Sequence, residues 1–320
     1  METKAPAWVA RVREQVGRII LGKEREIDLL LVALLAAGHV LVEDVPGVGK
    51  TTLVKALSKS LDLTFRRLQC TPDLLPSDVT GITYFDPADR TFRFRPGPVF
   101  THVLLTDEIN RATPRTQSSL LEAMEERQVS VDGETHRLEA PFWVVATQNP
   151  IESQGTYPLP EAQLDRFLLR LRLGYPGAGE EREMLLMPRG EDPVAALVAQ
   201  AGAKEVLAAQ TAVHDVHLSD AVATYVVDLA AATRQHPLIA LGASPRAALA
   251  LSRAARASAY LAGRGYVLPD DVQALAAPVL GHRLMLSSAS YVGGRAADEI
   301  VAEVVAQVPA PREAPWPDRV

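Results

Sequence analysis

HVLVEDVPGVGKTTLVKALS, residues 39–58, decides the fold. His39 to Glu43 reads as a short apolar strand, Asp44 to Thr51 as a glycine-containing turn, and Thr52 to Ser60 as a helix. A strand entering such a turn and leaving it as a helix is the context a phosphate-binding loop requires. Gly47 and Gly49 let backbone N–H groups turn inward around phosphate oxygens, and the helix N-terminus adds a favourable dipole. Lys50 offers an ammonium to the β and γ phosphates of ATP. Thr51 offers a hydroxyl to Mg²⁺, which prefers oxygen ligands and keeps several waters. Pro46, Gly47, Val48, Gly49, Lys50, Thr51 and Thr52 are therefore the expected nucleotide-binding turn. One position departs from the general pattern G-x-x-x-x-G-K-[ST], because Asp44 stands where its first glycine falls. An ordinary glycine-rich strand–helix turn is the plain alternative.

Working outward, residues 7–18 and Glu24 to Ala37 read as helices before the first strand, and Thr64 to Gln69 as the next strand after the loop. Strand, helix, strand is the building block of a parallel sheet. The segment from Thr71 to Pro98 is rich in proline, and within it ITYF and TFRFR alternate around Asp86-Pro87-Ala88-Asp89, which predicts a projecting hairpin. Its Arg90, Arg93 and Arg95 suit either a pore lining, a grip on an acidic partner, or a solvated face. HVLLTDE, residues 102–108, is an apolar run of the kind found in central parallel strands. A helix is expected from Pro114 to Glu126, with proline in its first turn. A second hairpin is expected from Val129 to Leu138, turning at Asp132-Gly133, then strands in PFWVVATQN (residues 141–149) and from Phe167 to Leu173.

Asp107 and Glu108 close their strand at the end where open α/β sheets bind ligands. Asp107 is placed to hold a Mg²⁺-bound water, and Glu108 to orient and deprotonate an attacking water. Phosphoryl transfer needs mainly charge neutralisation and positioning, which these groups supply. Asn149 ends the next apolar strand, and beside Asp107 and Glu108 in a sheet its amide reaches the same water. A solvated acidic strand end and a strand-terminating asparagine are the structural alternatives.

After Tyr175-Pro176-Gly177 the chain turns rich in alanine and leucine, with helical spacing from Ser219 to Gln235, Ser244 to Ala262 and Pro269 to Leu284. This places an α/β nucleotide-binding domain at 1–176, a helical domain at 177–308, and a proline-rich, poorly ordered tail at 309–320. The 320 residues carry 48% apolar and 22% charged side chains, enough for a sizeable core. A net charge of −6 argues against a dedicated nucleic-acid binder. Cys70 is the single cysteine, so neither an internal disulfide nor a cysteine-based metal cluster is available. His214 and His217 flank Asp215 without a further ligand set, which suits solvated histidines better than a metal site. Residues 27–42 are apolar but hold Asp28 and His39 and fall short of a span of about 20 residues. No signal-peptide core precedes them. A cytoplasmic protein without a membrane span is the expectation.

The stretches VLVEDVPGVGKTTLVKAL, TPDLLPSDVTG, RFRPGPVF, LLTDEINRATPRTQSSLLEAMEERQVS, ATQNPIESQGTYPLPEAQLDRF and GASPRAALAL cover most of residues 38–255. Together they resemble the MoxR family of AAA+ ATPases. Asp44 is usual in that family, so its departure from the general loop pattern fits. The resemblance implies a five-stranded parallel α/β domain followed by a small helical lid, with hairpin inserts near 81–98 and 128–140 facing the pore of a hexameric ring. It implies ATP and Mg²⁺ at each subunit interface. Asn149 matches the first sensor, Arg166 in LDRF the arginine finger reaching a neighbour's γ phosphate, and Arg246 in SPRA the second sensor of the lid. Ile20 and Leu21 match the adenine-flanking pair. Arginine suits both positions because it stays charged at a low-dielectric interface. For Arg166 the structural alternative is an ion pair with Asp165 or Glu161, and for Arg246 a solvated arginine at a helix start.

The function this implies is ATP-driven, chaperone-like remodelling, or maturation of cofactor or metal centres in client proteins, often with a von Willebrand factor A domain partner. Three rivals stand beside it. They are a metal-chelatase motor subunit, a nucleic-acid-associated motor, and a nucleotide-gated scaffold without useful turnover.

Overall fold

The computed structural model describes residues 6–150, 155–186, 192–288, 290 and 294–312. The end of the tail, from residue 313, lies outside the described residues. The chain forms two compact units, one mainly Pro6–Phe167 with Leu171–Gln210, the other mainly Thr211 onward with Leu168–Arg170.

The first unit opens with helices α1 (Ala7–Gly17) and α2 (Glu24–Leu35). Strand β1 (His39–Glu43) then feeds the loop and helix α3 (Lys50–Ser60). Strand β2 (Phe65–Gln69), a one-turn helix α4 (Pro76–Thr80) and the hairpin β3 (Gly81–Asp86) with β4 (Thr91–Pro96) follow. Next come β5 (Val103–Asp107), α5 (Pro114–Glu126), the hairpin β6 (Gln128–Val131) with β7 (Glu134–Arg137), and β8 (Trp143–Gln148). Helix α6 (Glu161–Leu164), strand β9 (Phe167–Leu171) and helix α7 (Ala178–Leu186) complete the run.

Five strands make one parallel sheet in the order β2-β5-β8-β1-β9. β5 is buried along its whole length and β8 nearly so, as the unbroken apolar runs of those strands required. Helix α5 lays Leu120, Leu121, Ala123 and Met124 on a core that includes Leu41, Leu104, Val144 and Phe167. Thr113 caps that helix by accepting from the Thr116 N–H, and Pro114 follows it at the first turn. Trp143, 2% exposed, donates its indole N–H to the Gly38 carbonyl at 3.0 Å.

The first hairpin is anchored by two glycines. A Cβ on Gly97 would stand 2.3 Å from the Val79 carbonyl oxygen and 2.6 Å from the Gly81 amide nitrogen. Gly81, with φ of 102°, meets the Arg95 carbonyl just as closely. Phe94 stacks on His136 of the second hairpin with ring centres 3.9 Å apart, which joins the two hairpins. Arg93 is paired with Asp86 at 3.2 Å and with Asp89.

The second unit consists of the end of α8 (Ala203–His214), then α9 (Asp220–Gln235), α10 (Pro245–Leu261), α11 (Pro269–Leu280) and α12 (Ala297–Gln307), with a small sheet of β10 (Ile239–Leu241) and β11 (Met285–Leu286). α10 buries Ala247, Ala250, Ala254, Ala255, Ala257 and Ala259, small side chains that let α11 approach. Helix α11 stops at Leu280 rather than the expected Leu284 and tightens into a 3₁₀ turn at Gly281–Arg283. A side chain on Gly281 would collide with the Asp298 carboxylate, and Arg170 donates to that same carboxylate at 2.7 Å. Asp271 is 6% exposed and accepts from both terminal nitrogens of Arg264 at 2.6 and 2.7 Å, from Ser258 and from the Leu268 N–H.

The compact units divide at Gln210, whereas the composition shift led to an expected boundary near 176. The intervening segment stays with the α/β unit because it is bonded to it. Lys55 pairs with Asp192 at 2.8 Å, Arg11 donates to Gln200 at 2.6 Å, and Gln210 donates to the Leu34 carbonyl at 2.7 Å. Helical spacing reports what a segment forms and not which core it joins. Among the described residues no helix is long and apolar enough to cross a membrane.

Removing one partner of a buried, bidentate ion pair leaves the other uncompensated, at a cost of about 3 kcal/mol. Asp271→Ala is therefore expected to raise the hydrogen-exchange rates of α10 and α11 amides while leaving those of β5 and β8 unchanged. Gly97→Ala is expected to perturb the first hairpin, read as altered exchange in β3 and β4, with the sheet's exchange pattern retained.

Candidate active site

Register builds the site. Val40 pairs with Val145 and Glu43 with Gln148, Leu105 pairs with Val145, and Gln69 pairs with Asp107. Strands β5 and β2 therefore end together, one residue short of β1 and β8, at the same edge of the sheet. The residues that follow them, Asp44, Asn149, Glu108 and Cys70, emerge together at the carboxyl edge of the sheet, where ligands bind in open α/β folds.

Asp44, Pro46, Gly47, Lys50, Thr51, Asp107, Glu108 and Asn149 line one cleft of about 150 Å³ there, with Arg67, Gln69 and Thr147. Gly49 is the N-cap of α3 with φ of 88°, a left-handed conformation that glycine adopts without a Cβ penalty. Lys50 and Thr51, the first residues of α3, follow it and line the cleft. Val48 and Thr52 belong to the same turn and helix start. The Lys50 ammonium donates to the carbonyls of Asp44 at 3.1 Å and Val45 at 2.8 Å. Burial pushes it down from the ordinary lysine range, against the opposing pull of Asp44, Asp107 and Glu108.

Asp44 explains its own departure from the loop pattern. Its carboxylate accepts the N–H groups of Leu173 at 2.6 Å and Gly174 at 2.7 Å, and of Val45 at 2.8 Å. The entrance of the loop is thus bonded to the chain leaving β9. Lys23 donates to the carbonyls of Leu173 and Tyr175, so the turn after α1 joins the same knot. Ile20 and Leu21, half-buried just before that turn, lie beside this knot and outside the cleft lining.

Asp107 is 6% exposed. It accepts from Arg67 Nε at 2.6 Å and from the Thr147 hydroxyl at 3.3 Å. Glu108 takes a left-handed backbone, φ 56° and ψ 51°, uncommon for a residue with a Cβ. Its N–H donates to the Thr147 hydroxyl at 2.9 Å, and its carboxylate accepts from Gln69 and from Arg111, each at 3.0 Å. The two carboxylates are therefore held by different partners and face one cleft with Thr51 and Lys50. Cys70 is buried beside them. Burial, with the two acids in support, pushes its thiol up to about 12, so it packs as a neutral side chain. Thr51 and Asp107 provide hard oxygen donors, the set a divalent magnesium ion takes, and the loop amides and Lys50 provide the complementary charge for phosphates.

Arg166 lies outside this cleft. It precedes β9, whose other end is bonded to Asp44, so about five residues of strand, roughly 16 Å, separate it from the loop. Its Nε donates to Glu125 on α5 at 3.0 Å, in place of the Asp165 or Glu161 pairing that neighbouring sequence suggested. Arg246 is exposed in the first turn of α10, whose N-cap Ser244 accepts from the Ala247 N–H. It belongs to the helical unit. Arg67, Gln69 and Thr147 are site residues that reading by motif passed over, and Asp44 was noted there only as a departure from the loop pattern. The only advance signal was the polar alternation of β2 beside an acidic strand end.

Residues 39–169 match the ATPase family associated with various cellular activities (AAA), and residues 231–304 match the AAA lid domain. The chain is 49% identical over 298 residues to Bacillus subtilis YeaC, covering 93% of each. It is 43% identical to the chaperone MoxR1 of Mycobacterium tuberculosis, over 91% of this chain and 78% of that one. The crystal structure of a Cytophaga hutchinsonii protein matches with a TM-score of 0.87 and 36% identity over 95% of both chains. With a phosphate loop and two carboxylates in one cleft, a helical second unit, and likeness running the length of these relatives, the chain belongs to the MoxR family of AAA ATPases.

Proposed function

We propose that this ATPase works as a magnesium-dependent motor in a homo-oligomeric, hexameric ring, and that it uses each hydrolytic cycle to remodel client proteins or mature their cofactor or metal centres. The observation that carries this reading is the single cleft shared by Lys50, Thr51, Asp107, Glu108 and Asn149. Thr51 and Asp107 would hold the metal, which would neutralise charge on the β and γ phosphates. The loop amides and Lys50 grip the phosphates. Glu108 takes a proton from the attacking water, and Asn149 helps to aim that water. Ile20 and Leu21 flank the adenine. Arg246, in SPRA, is assigned the second-sensor role.

Arg166 fits a role in trans. Its place at the opposite edge of the sheet leaves it out of reach of its own phosphate loop and available to a neighbour's. A von Willebrand factor A domain protein is the partner this reading expects, and the cytoplasm the compartment.

Glu108→Gln is expected to bind ATP with near wild-type affinity while hydrolysing it about 10²–10⁴-fold more slowly. Filter binding and phosphate release measure the two quantities, and undiminished turnover would remove Glu108 as the base. The same variant held in ATP is the trap for clients, and a von Willebrand A domain protein should be retained with it. Arg166→Ala is expected to bind nucleotide yet lose about 10³-fold in turnover. Mixing it with Lys50→Ala subunits should restore part of the activity. No recovery at any mixing ratio would place the finger elsewhere.

A further inference from the structure

Asp107 presents an electrostatic problem that the proposed mechanism does not address. A carboxylate this buried is costly without a counter-charge. When metal is bound, the ion supplies that charge. Without metal, something else must.

The structure supplies it from β2. Arg67 Nε lies 2.6 Å from Asp107 Oδ2, an ion pair between a guanidinium about half exposed and a carboxylate that is nearly buried. The remaining hydrogen bond of Asp107, from the Thr147 hydroxyl at 3.3 Å, carries no formal charge, and the Lys50 ammonium acts on Asp107 through space without a direct bond. Arg67 lines the same cleft as Thr51 and Gly47. The parallel register places Gln69 opposite Asp107 and Arg67 opposite Leu105, two residues back, so the Arg67 side chain runs forward along the strand to reach the carboxylate. It also donates through Nη2 to Gln69 Oε1 at 3.2 Å, and Gln69 in turn donates to Glu108.

We infer that Arg67 is a stand-in cation for the metal site. It neutralises Asp107 when no metal is bound and is displaced from that carboxylate when Mg²⁺ arrives with nucleotide. A divalent ion and a guanidinium repel each other at this range, so a metal drawn to Asp107 weakens the hold of Arg67 on it. The side chain is long, half exposed and tethered by two bonds, so it can leave into solvent. Its departure also withdraws a donor from Gln69, which links the arrival of metal to the polar group that holds Glu108. Arg67 is thus a positioning residue and takes no part in the bond-breaking step. This inference rests on the magnesium–nucleotide reading of the cleft.

The test uses the full chain with Mn²⁺ as the metal probe and ADP as the nucleotide. Mn²⁺ uptake in the presence of ADP is followed by the loss of its free-ion electron paramagnetic resonance signal. Arg67→Gln is expected to take up Mn²⁺ about tenfold more tightly than wild type, because the competing cation is gone. In EDTA the same variant is expected to melt about 3 °C lower, reflecting an Asp107 that has lost its directly bonded counter-charge, with the deficit closing in saturating Mn²⁺ and ADP. Arg67→Lys keeps the charge and is expected to retain wild-type Mn²⁺ affinity. A third reading uses wild-type protein. The Arg67 Nε–H resonance should move when Mg²⁺ and ADP are added together and stay in place with ADP in EDTA. Unchanged or weaker Mn²⁺ affinity in Arg67→Gln, tighter binding in Arg67→Lys, or an Nε–H signal indifferent to Mg²⁺ would each overturn the inference. Absence of Mn²⁺ uptake by wild-type protein would overturn the site reading itself, and this inference with it.

Discussion

Four strands whose ends lie within one residue of one another, at one edge of the sheet, are the constraint on which the rest depends. A one-residue slip of a strand would send every side chain to the opposite face and carry the residues at its end out of the cleft. β5 is buried on both faces and β8 along almost all of its length, so side chains packed above and below hold the observed register. The polar residues just past their ends then have no choice of neighbour. Asp107 meets Thr147, the Glu108 amide meets the same hydroxyl, and Gln69 of β2 meets Glu108. The chemistry is assembled by the apolar core beneath it, and a defect in that core would be felt as a displaced carboxylate.

The polar contacts at this edge divide into two sets with different work. One set is structural and closed. Asp44 is saturated by three backbone amides, and nothing in its surroundings asks for a further partner. The other set is provisional. Lys50 bonds to carbonyls of its own loop, and Arg67 and Arg111 bond to the two acids that would serve hydrolysis. These are contacts a ligand can replace with stronger ones. Burial lowers the Lys50 pKa, and an anionic phosphate would offset that effect.

Much of this was legible in the chain. The phosphate loop declared itself because glycines, lysine and threonine fell between a strand and a helix. The buried strands declared themselves because both of their faces are apolar, and both hairpins because alternation was interrupted by turn residues. Arg67 and Gln69 were not legible, because β2 reads as an ordinary half-polar strand until its register against β5 is known. The partner of Arg166 was missed for a related reason. Glu125 is distant in sequence, and local reading favours near neighbours such as Asp165. The division at Gln210 was hidden because composition changes where helices begin, whereas membership of a core is decided by long-range bonds such as Gln210 to Leu34.

The carboxylate of Asp44 has a consequence for anyone who treats the nucleotide loop as a portable module. Residues 44–52 are contiguous, but their geometry is completed by amides some 130 positions later, Leu173 and Gly174. Transplanted into another sheet without that returning segment, the loop would carry a sequestered anion with nothing to receive it. Its entrance would open toward water. The functional cassette is therefore discontinuous, and its smallest self-sufficient form runs from β1 through the exit of β9.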